Sequence, residues 1–108
     1  MNSISNYVQL IGNLGRDVEY QTLDNGNSIA RVSMATKEVF RDPQGAKRVH
    51  TTWHQLVGWG KVAEMMQIFL KTGSSVVVQG KIQHRTIEVG EQRKTRTEIV
   101  VNEFRLMH

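Results

Sequence analysis

The sequence predicts an all-β protein with one short helix, folded as a single domain over residues 1–108. Apolar and polar residues alternate through much of the chain, turn-forming residues separate these runs, and one segment changes to helical spacing. The length suits one domain with one core. A content of 39% hydrophobic and 22% charged residues is typical of a globular chain.

The first part of the chain predicts two strands with an extended segment between them. Tyr7–Leu14 is an apolar, β-favouring run, and Val18–Leu23 is a second extended segment. The turn Asp24–Asn27 follows, in which Asn-Gly tolerates positive φ. In the second strand, Ser28–Phe40, one set of alternate residues is apolar and the other is more polar, as expected of a half-buried strand. The apolar set is Ala30, Val32 and Met34, and the other set is Arg31, Ser33, Ala35 and Lys37.

The middle of the chain predicts an exposed loop, a strand and the helix. Arg41–His50 is polar and basic and contains a Pro and a Gly placed as in a type I turn, so we expect a loop there. Thr51–Trp59 is the next strand. Lys61–Leu70 then has helical spacing, and Gly73 is expected to cap the helix. The apolar stripe of this helix is Val62, Met65, Met66 and Phe69.

The last part of the chain predicts a hairpin. Ser75–Arg85 is a strand that Gly80 interrupts with a bulge or bend, Val89–Glu91 is a short loop, and Lys94–Phe104 is the final strand. Taken as five strands with the helix between the third and fourth, this order is that of an OB-fold, a five-stranded Greek-key barrel. Pattern alone leaves other small β-barrels open.

The charge distribution indicates an anionic partner. The chain carries 14 Lys and Arg against 10 acidic residues, a net charge of +4. The excess lies in residues 31–85, with nine basic and three acidic residues, whereas residues 1–30 carry one Arg and three acids. Such a basic segment is typical of a polyanion-binding surface, although an ordinary solvated surface explains it equally well.

Several function classes find no support in the sequence. Cysteine is absent, which excludes disulfides, zinc–thiolate sites and thiol catalysis. His50 and His54 lie about 13 Å apart if they are on a strand, too far to share a metal ion. No acid/base pair or complete phosphate loop is visible, so we expect neither an enzyme nor a cofactor or metal site. No apolar run is long enough for a membrane span and no signal peptide is visible, which predicts a cytoplasmic protein.

The aromatic residues narrow the choice of partner. Of seven aromatics, four lie in the basic segment, and three of these are on its predicted strands: Phe40, Trp53 and Trp59. Trp53, Gln55 and Trp59 share a strand parity, and a second cationic face carries Lys81, Gln83 and Arg85. Aromatic rings stack on bases of any sequence while Lys and Arg follow the phosphates, which is how single-stranded nucleic acid is bound. Burial of the tryptophans in the core is the alternative.

An ordered series of motifs resembles the bacterial single-stranded DNA-binding proteins. The resemblance covers nearly the whole chain. It rests on Asn6–Asp17, Asn25-Gly26, Ala30–Thr36, Trp53-His54, Trp59–Glu64, Leu70–Ser74, Val78–Gly80 and Thr97–Val100. It implies an OB-fold, a homotetramer, binding of single-stranded DNA without sequence preference, and a bacterial, nucleoid-associated role in replication, recombination and repair.

The resemblance also implies particular DNA-binding residues. Phe40, Trp53 and Trp59 match the stacking positions, and we expect one face to carry all three. A fourth aromatic position falls on Ile87, which has no π-face. Lys61, Arg85 and Arg48 match basic positions of the family's DNA path. Strand parity adds Arg31, Lys37 and Lys81.

The first strand and one histidine are implied in assembly. The family pairs its first strand across a two-fold axis, which points to Asn6, Val8, Leu10 and Ile11, although barrel core suits Val8 and Leu10 equally well. His54 matches a subunit-interface position. Family members usually continue into a Gly/Pro/Gln-rich linker and an acidic tip that recruits replication and repair proteins. These 108 residues stop without one, as in a trimmed domain or a tailless paralogue.

Two other functions remain open at this point. An adaptor protein of replication restart can share the fold, and loss of the stacking residues would favour it. An RNA-binding OB-fold module is the other alternative, which competition between matched DNA and RNA oligonucleotides would distinguish.

Overall fold

A computed structural model describes residues 4–107, which form six strands and one helix. The elements are β1 (Val8–Leu14), β2 (Glu19–Thr22), β3 (Ser28–Arg41), β4 (Lys47–Trp59), α1 (Lys61–Phe69), β5 (Ser75–Val89) and β6 (Gln92–Leu106). The predicted class, all-β with one short helix, is therefore confirmed.

Five of the strands close into a barrel. The strand order is β1-β5-β6-β4-β3, and β3 pairs back with β1 at Asn13 and Leu14 to close the ring. The pairings are antiparallel except for that of β4 with β6, which is parallel. This is the OB-fold that the sequence predicted. The helix follows the fourth strand rather than the third, because the Val18–Leu23 segment contributes a separate strand, β2, which pairs with β3 outside the ring.

The inward-facing residues of the strands form the core of the barrel. Ala30, Val32 and Met34 of β3 are fully buried, as their alternation predicted. The helix packs against this core with Ala63 and Met66, which are also fully buried. Since α1 has only nine residues, it is too short to cross a membrane, and it is the only helix within residues 4–107.

Two long hairpins extend beyond the core. The predicted Arg41–His50 loop is too long: only Asp42–Ala46 forms the turn, because the β3–β4 ladder continues to the Arg41–Lys47 pair. The β5–β6 hairpin likewise continues to the Val89–Gln92 pair. Both sides of these ribbons are exposed, so polar residues occupy both parities. The alternation that identifies a strand is therefore missing from the sequence.

Two glycine predictions have different outcomes. The predicted irregularity at Gly80 is confirmed, because the β5–β6 register shifts there and a β-carbon would collide with the Val100 carbonyl. The prediction of Gly73 as the helix cap is wrong. The helix ends at Phe69, and the Leu70 N–H donates to the Met66 carbonyl at 2.9 Å. Gly73 instead adopts a φ of 85° in the following turn.

Candidate nucleic-acid interface

The predicted binding residues of β3, β4 and β5 lie mainly on one side of the barrel wall. Strands β5, β6, β4 and β3 are neighbours in that order, and residues opposed across a ladder project to the same side. The solvent side is called the outer face. Its residues are Lys81, Gln83, Arg85 and Ile87 of β5, Lys94, Arg96, Glu98 and Val100 of β6, Trp53, Gln55, Val57 and Trp59 of β4, and Ile29, Arg31, Ser33, Ala35 and Lys37 of β3.

The two tryptophans are exposed platforms on this face. Trp53 is 57% exposed and Trp59 is 46% exposed, so the alternative that both are core residues is wrong. Trp53 lies opposite Ala35 and Trp59 opposite Ile29, at positions about 20 Å apart along β4. Two indoles this far apart can each receive a different base of one strand.

Phe40 lies on the other side of the β3–β4 ribbon. It is opposite Arg48 and is five residues beyond Ala35 in an unbroken register, so it has the inward parity of β3. The ring is 46% exposed because the ribbon has left the core at this point. The expectation that Phe40 shares a face with Trp53 and Trp59 is therefore wrong. The sequence already indicated that Phe40 lies on the other side, since Phe40 and Arg31 have opposite parities on one strand.

The predicted cationic residues divide into two groups. Arg31, Lys37, Lys81 and Arg85 are on the outer face, as the strand parities predicted for each strand separately. Lys61 is exposed at the start of α1 and Arg48 is on the β3–β4 ribbon. The Arg48 Nε atom donates to Asp42 Oδ2 at 2.9 Å. This contact, with main-chain N–H donors, holds the pKa of Asp42 below its usual range.

Two of these arginines meet at a buried carboxylate. Arg31 Nη1 lies 2.7 Å and Arg85 Nη2 3.2 Å from the same atom, Glu98 Oε2. Glu98 is only 4% exposed. A buried carboxylate is tolerated when cations pair with it, so this contact connects β3 and β5 across β6 and β4.

Three charged residues of this face were not predicted as binding residues: Lys94, Arg96 and Glu98. Their strand segment has no net charge, so composition gave no reason to select them. The available signal was the hairpin register, because Arg96 lies opposite Arg85 and Lys94 opposite Ile87. The predicted Val89–Glu91 loop is one residue too long to give this register, because counting outward from it pairs Arg85 with Thr95, whereas the structure turns at Gly90 and Glu91.

The residues implied in assembly lie in different places. Asn6 binds the main chain of Ile82 through its amide, with Nδ2 donating to the Ile82 carbonyl at 3.0 Å and Oδ1 accepting from its N–H at 3.0 Å. Val8 and Leu10 are half-buried and pack against the core, whereas Ile11 is 54% exposed. His54 is on β4 with Nε2 2.9 Å from the Thr36 hydroxyl, and burial lowers its pKa.

Within residues 4–107, no three His, Asp or Glu side chains come together in an arrangement that could hold a metal ion. His50 and His54 both lie on β4, opposite Glu38 and Met34 respectively.

Known proteins share both the sequence and the fold. Residues 5–107 match the single-strand binding protein family. The chain is 36% identical over 104 residues to single-stranded DNA-binding protein 1 of Chlorobaculum tepidum, covering 94% of this chain and 64% of that protein. It therefore spans less than two thirds of that relative's length.

Solved structures give the same result for the fold. A Plasmodium falciparum SSB complex with ssDNA has a TM-score of 0.84 and 32% identity, covering 99% of this chain and 97% of that one. A deletion mutant of the single-stranded DNA binding protein from Thermus aquaticus, at 24% identity, shares the fold with a TM-score of 0.83 over 95% of this chain and 50% of that one. Because the family match extends over nearly all of the sequence, the chain belongs to the single-strand binding protein family.

Proposed function

We propose that this protein binds single-stranded DNA without sequence preference. The observation that carries the proposal is the outer face, where two exposed indoles lie among six cationic side chains and one carboxylate. The cationic residues are Arg31, Lys37, Lys81, Arg85, Lys94 and Arg96. The Plasmodium falciparum SSB complex with ssDNA, at 32% identity, supports this choice of ligand.

The chemistry of the face accounts for both affinity and tolerance of sequence. Every base has a π-face, so Trp53 and Trp59 can stack on any nucleotide, each contact contributing about 1–3 kcal/mol. Lys and Arg attract the phosphates, which are the same in every sequence. Because their binding releases counterions from the DNA, this contribution to affinity weakens as the salt concentration rises. Phe40 and Arg48 add a ring and a charge on the opposite side of the β3–β4 ribbon.

Assembly into a homotetramer is part of the proposal. β1 pairs with β5 along one edge, but on its other edge only Asn13 and Leu14 pair, with β3. The remaining edge of β1 therefore offers unpaired main-chain groups, a template for strand addition. Ile11 is exposed beside this edge and supplies an apolar contact for a second copy.

The biological role we propose is non-enzymatic. The protein coats and protects single strands in DNA replication, recombination and repair, and proteins of those processes are its expected partners. An adaptor role in replication restart is less well supported, because all three predicted aromatic positions remain exposed rings. Binding to RNA would use the same stacking chemistry and is separated from DNA binding by competition.

The test is a titration of the full chain with oligo(dT) while tryptophan fluorescence is followed. Stacking of bases on Trp53 and Trp59 is expected to quench the emission in a saturable, salt-dependent manner. A matched oligo(U) competitor should displace oligo(dT) only weakly. No quenching at low salt would contradict the proposal, and stronger binding of oligo(U) would favour the RNA alternative.

A further inference from the structure

The contact at Glu98 leaves the middle of the outer face with excess positive charge. Arg31 and Arg85 both donate to Glu98 Oε2, so two guanidinium groups share one carboxylate. The Nε atom of Arg85 is buried and has no hydrogen-bond partner among the described residues. One carboxylate therefore compensates only one of the two charges.

Arg96 adds a third guanidinium to this region. It lies directly opposite Arg85 across the β5–β6 ladder, where like charges destabilise each other. Within residues 4–107, Arg96 forms no ion pair or hydrogen bond, in contrast to Arg31 and Arg85. An anion bound at this point would relieve the repulsion.

Arg31, Arg96 and Glu98 line a solvent-open pocket, the arginine pocket. Its charged and amide side chains are Arg16, Glu19, Arg31, Gln55, Arg96 and Glu98. Both carboxylates are already engaged, Glu19 by Arg16 and Glu98 by Arg31 and Arg85. The pocket is thus lined by more guanidinium groups than carboxylates, and the guanidinium of Arg96 is unpaired.

The pocket lies between the two tryptophans. Arg31 is opposite Val57, two residues from Trp59 and four residues from Trp53 along β4. A single strand that stacks one base on each indole must pass its backbone over this part of the face. A phosphate has oxygens that the planar guanidinium fork can bind in pairs, which makes Arg the preferred residue for phosphate recognition.

We propose that the arginine pocket seats one phosphodiester of a bound single strand, with Arg96 and Arg31 as its ligands. Glu98 is the positioning residue that holds Arg31 at the pocket. The inference rests on the proposed function and deepens it. It assigns a fixed backbone contact between the two stacking platforms.

The test compares Arg96→Gln with Arg105→Gln, which removes the same charge from the same strand near its far end, where Arg105 is exposed. Binding of oligo(dT) is measured at several salt concentrations for both variants and for the wild type. Arg96→Gln should weaken binding about tenfold, the loss expected for one hydrogen bond to a charged group. It should also reduce the magnitude of the log–log salt slope by about 0.7, whereas Arg105→Gln should match the wild type in both.

A neutral-backbone ligand separates a phosphate contact from other roles of Arg96. With a methylphosphonate oligo(dT), wild type and Arg96→Gln should bind equally, because the ligand lacks the charge that Arg96 contacts. An equal loss of affinity with both ligands would overturn the proposed phosphate contact, since Arg96 would then act on a base or on the fold. Unchanged affinity and slope for Arg96→Gln with ordinary oligo(dT) would also overturn it.

Two further measurements keep these outcomes distinct. Arg96→Lys keeps the charge without the planar fork, so it should retain the wild-type salt slope and lose only part of the affinity. Circular dichroism shows whether Arg96→Gln folds. If it does not, a wild-type affinity and slope for Arg96→Lys would overturn the proposed contact between the Arg96 guanidinium and a phosphate. Failure of the wild type itself to bind oligo(dT) would overturn the proposed function, a result distinct from a failure of the pocket alone.

Discussion

The indole ring of Trp53 lies directly against the main chain of Gly15. A β-carbon at position 15 would be 2.7 Å from Cη2 of the ring and closer still to Cζ3. The Gly15 N–H in turn donates to the Ser33 carbonyl at 3.0 Å, which fixes this segment against β3. Trp53 is therefore supported by backbone while more than half of its surface stays open, an arrangement suited to a rigid stacking platform.

Replacing Gly15 by Ala should displace the Trp53 ring and weaken oligo(dT) binding by about 1 kcal/mol, near the lower end of the stacking range. The fold should persist, because φ at Gly15 lies outside the left-handed region and an open ring can move. Fluorescence titration gives the affinity, and a thermal melt checks the fold.

A double-mutant cycle shows whether Gly15 acts through Trp53. In a Trp53→Ala background, Gly15→Ala should cost almost nothing further, because the ring that it displaces is gone. Additive losses would contradict the structural relationship and would place Gly15 in a separate contact with DNA.

Each tryptophan should also matter by itself. Trp53→Ala and Trp59→Ala should each weaken oligo(dT) binding by about 1–3 kcal/mol, the contribution of one base–aromatic contact. Phe69→Ala is the matched control, since this ring is exposed on α1 rather than on the outer face. A loss for Phe69→Ala as large as for the tryptophans would show that the outer face is not the binding surface.

The parts of this site that depend on alternation along one strand could be predicted from the sequence. Trp53 and Trp59 share a parity, and so do Arg31 and Lys37, because a half-buried strand separates its two sides by composition. The contact of Arg31 with Glu98 could not be predicted. It depends on the parallel pairing of β4 with β6, between residues more than forty positions apart, and no local pattern signals that pairing.

The exposed ribbons show a second limit on what the sequence can predict. Arg41–His50 has the composition of a loop, yet half of it continues the β3–β4 ladder. A strand that is exposed on both sides has no apolar parity, so composition cannot distinguish it from a loop. The same applies to the ends of β5 and β6, where the predicted strands were too short.

Stability should fall at mildly acidic pH because of His54. Burial lowers the pKa of His54 from its ordinary value of 6.5, so the unfolded chain takes up a proton before the folded one does. His54 should have no effect above about pH 7.5 and should destabilise the fold progressively as the pH falls below 6.5 toward the folded-state pKa.

His54→Gln tests this assignment, because glutamine stays neutral throughout. Denaturant midpoints at pH 7.5, 6.0 and 5.0, at one fixed protein concentration, should fall less steeply for the variant than for the wild type. Equal pH dependence in the two proteins would show that His54 does not contribute.

Assembly should depend on the exposed side of β1. Ile11→Glu should shift the protein from tetramer toward dimer or monomer in light scattering, because a buried unpaired carboxylate in the interface is costly. The fold should survive, since Ile11 is already exposed in the single chain. Ile68→Glu, the same change at an exposed position on α1, should leave the tetramer intact. A wild-type protein that is monomeric at micromolar concentration would contradict the assembly proposal.

Ile87 lies on the outer face opposite Lys94, two residues beyond Arg85. An aliphatic side chain can touch a base but has no π-face, so the β5–β6 ribbon should hold DNA more loosely than the tryptophan surface does. Ile87→Trp should therefore tighten oligo(dT) binding by about 1 kcal/mol, toward the lower end of the stacking range. Thr86→Trp is the control, because Thr86 projects from the other side of the same ribbon.

Oligonucleotide length then separates the ribbon from the centre of the face. The gain from Ile87→Trp should appear with long oligonucleotides and be small with short ones that reach only Trp53 and Trp59. Because Lys94 lies opposite position 87, the added ring would stand next to a cation that can pair with the adjoining phosphate. Equal affinity of variant and wild type at every length would show that DNA does not follow this ribbon.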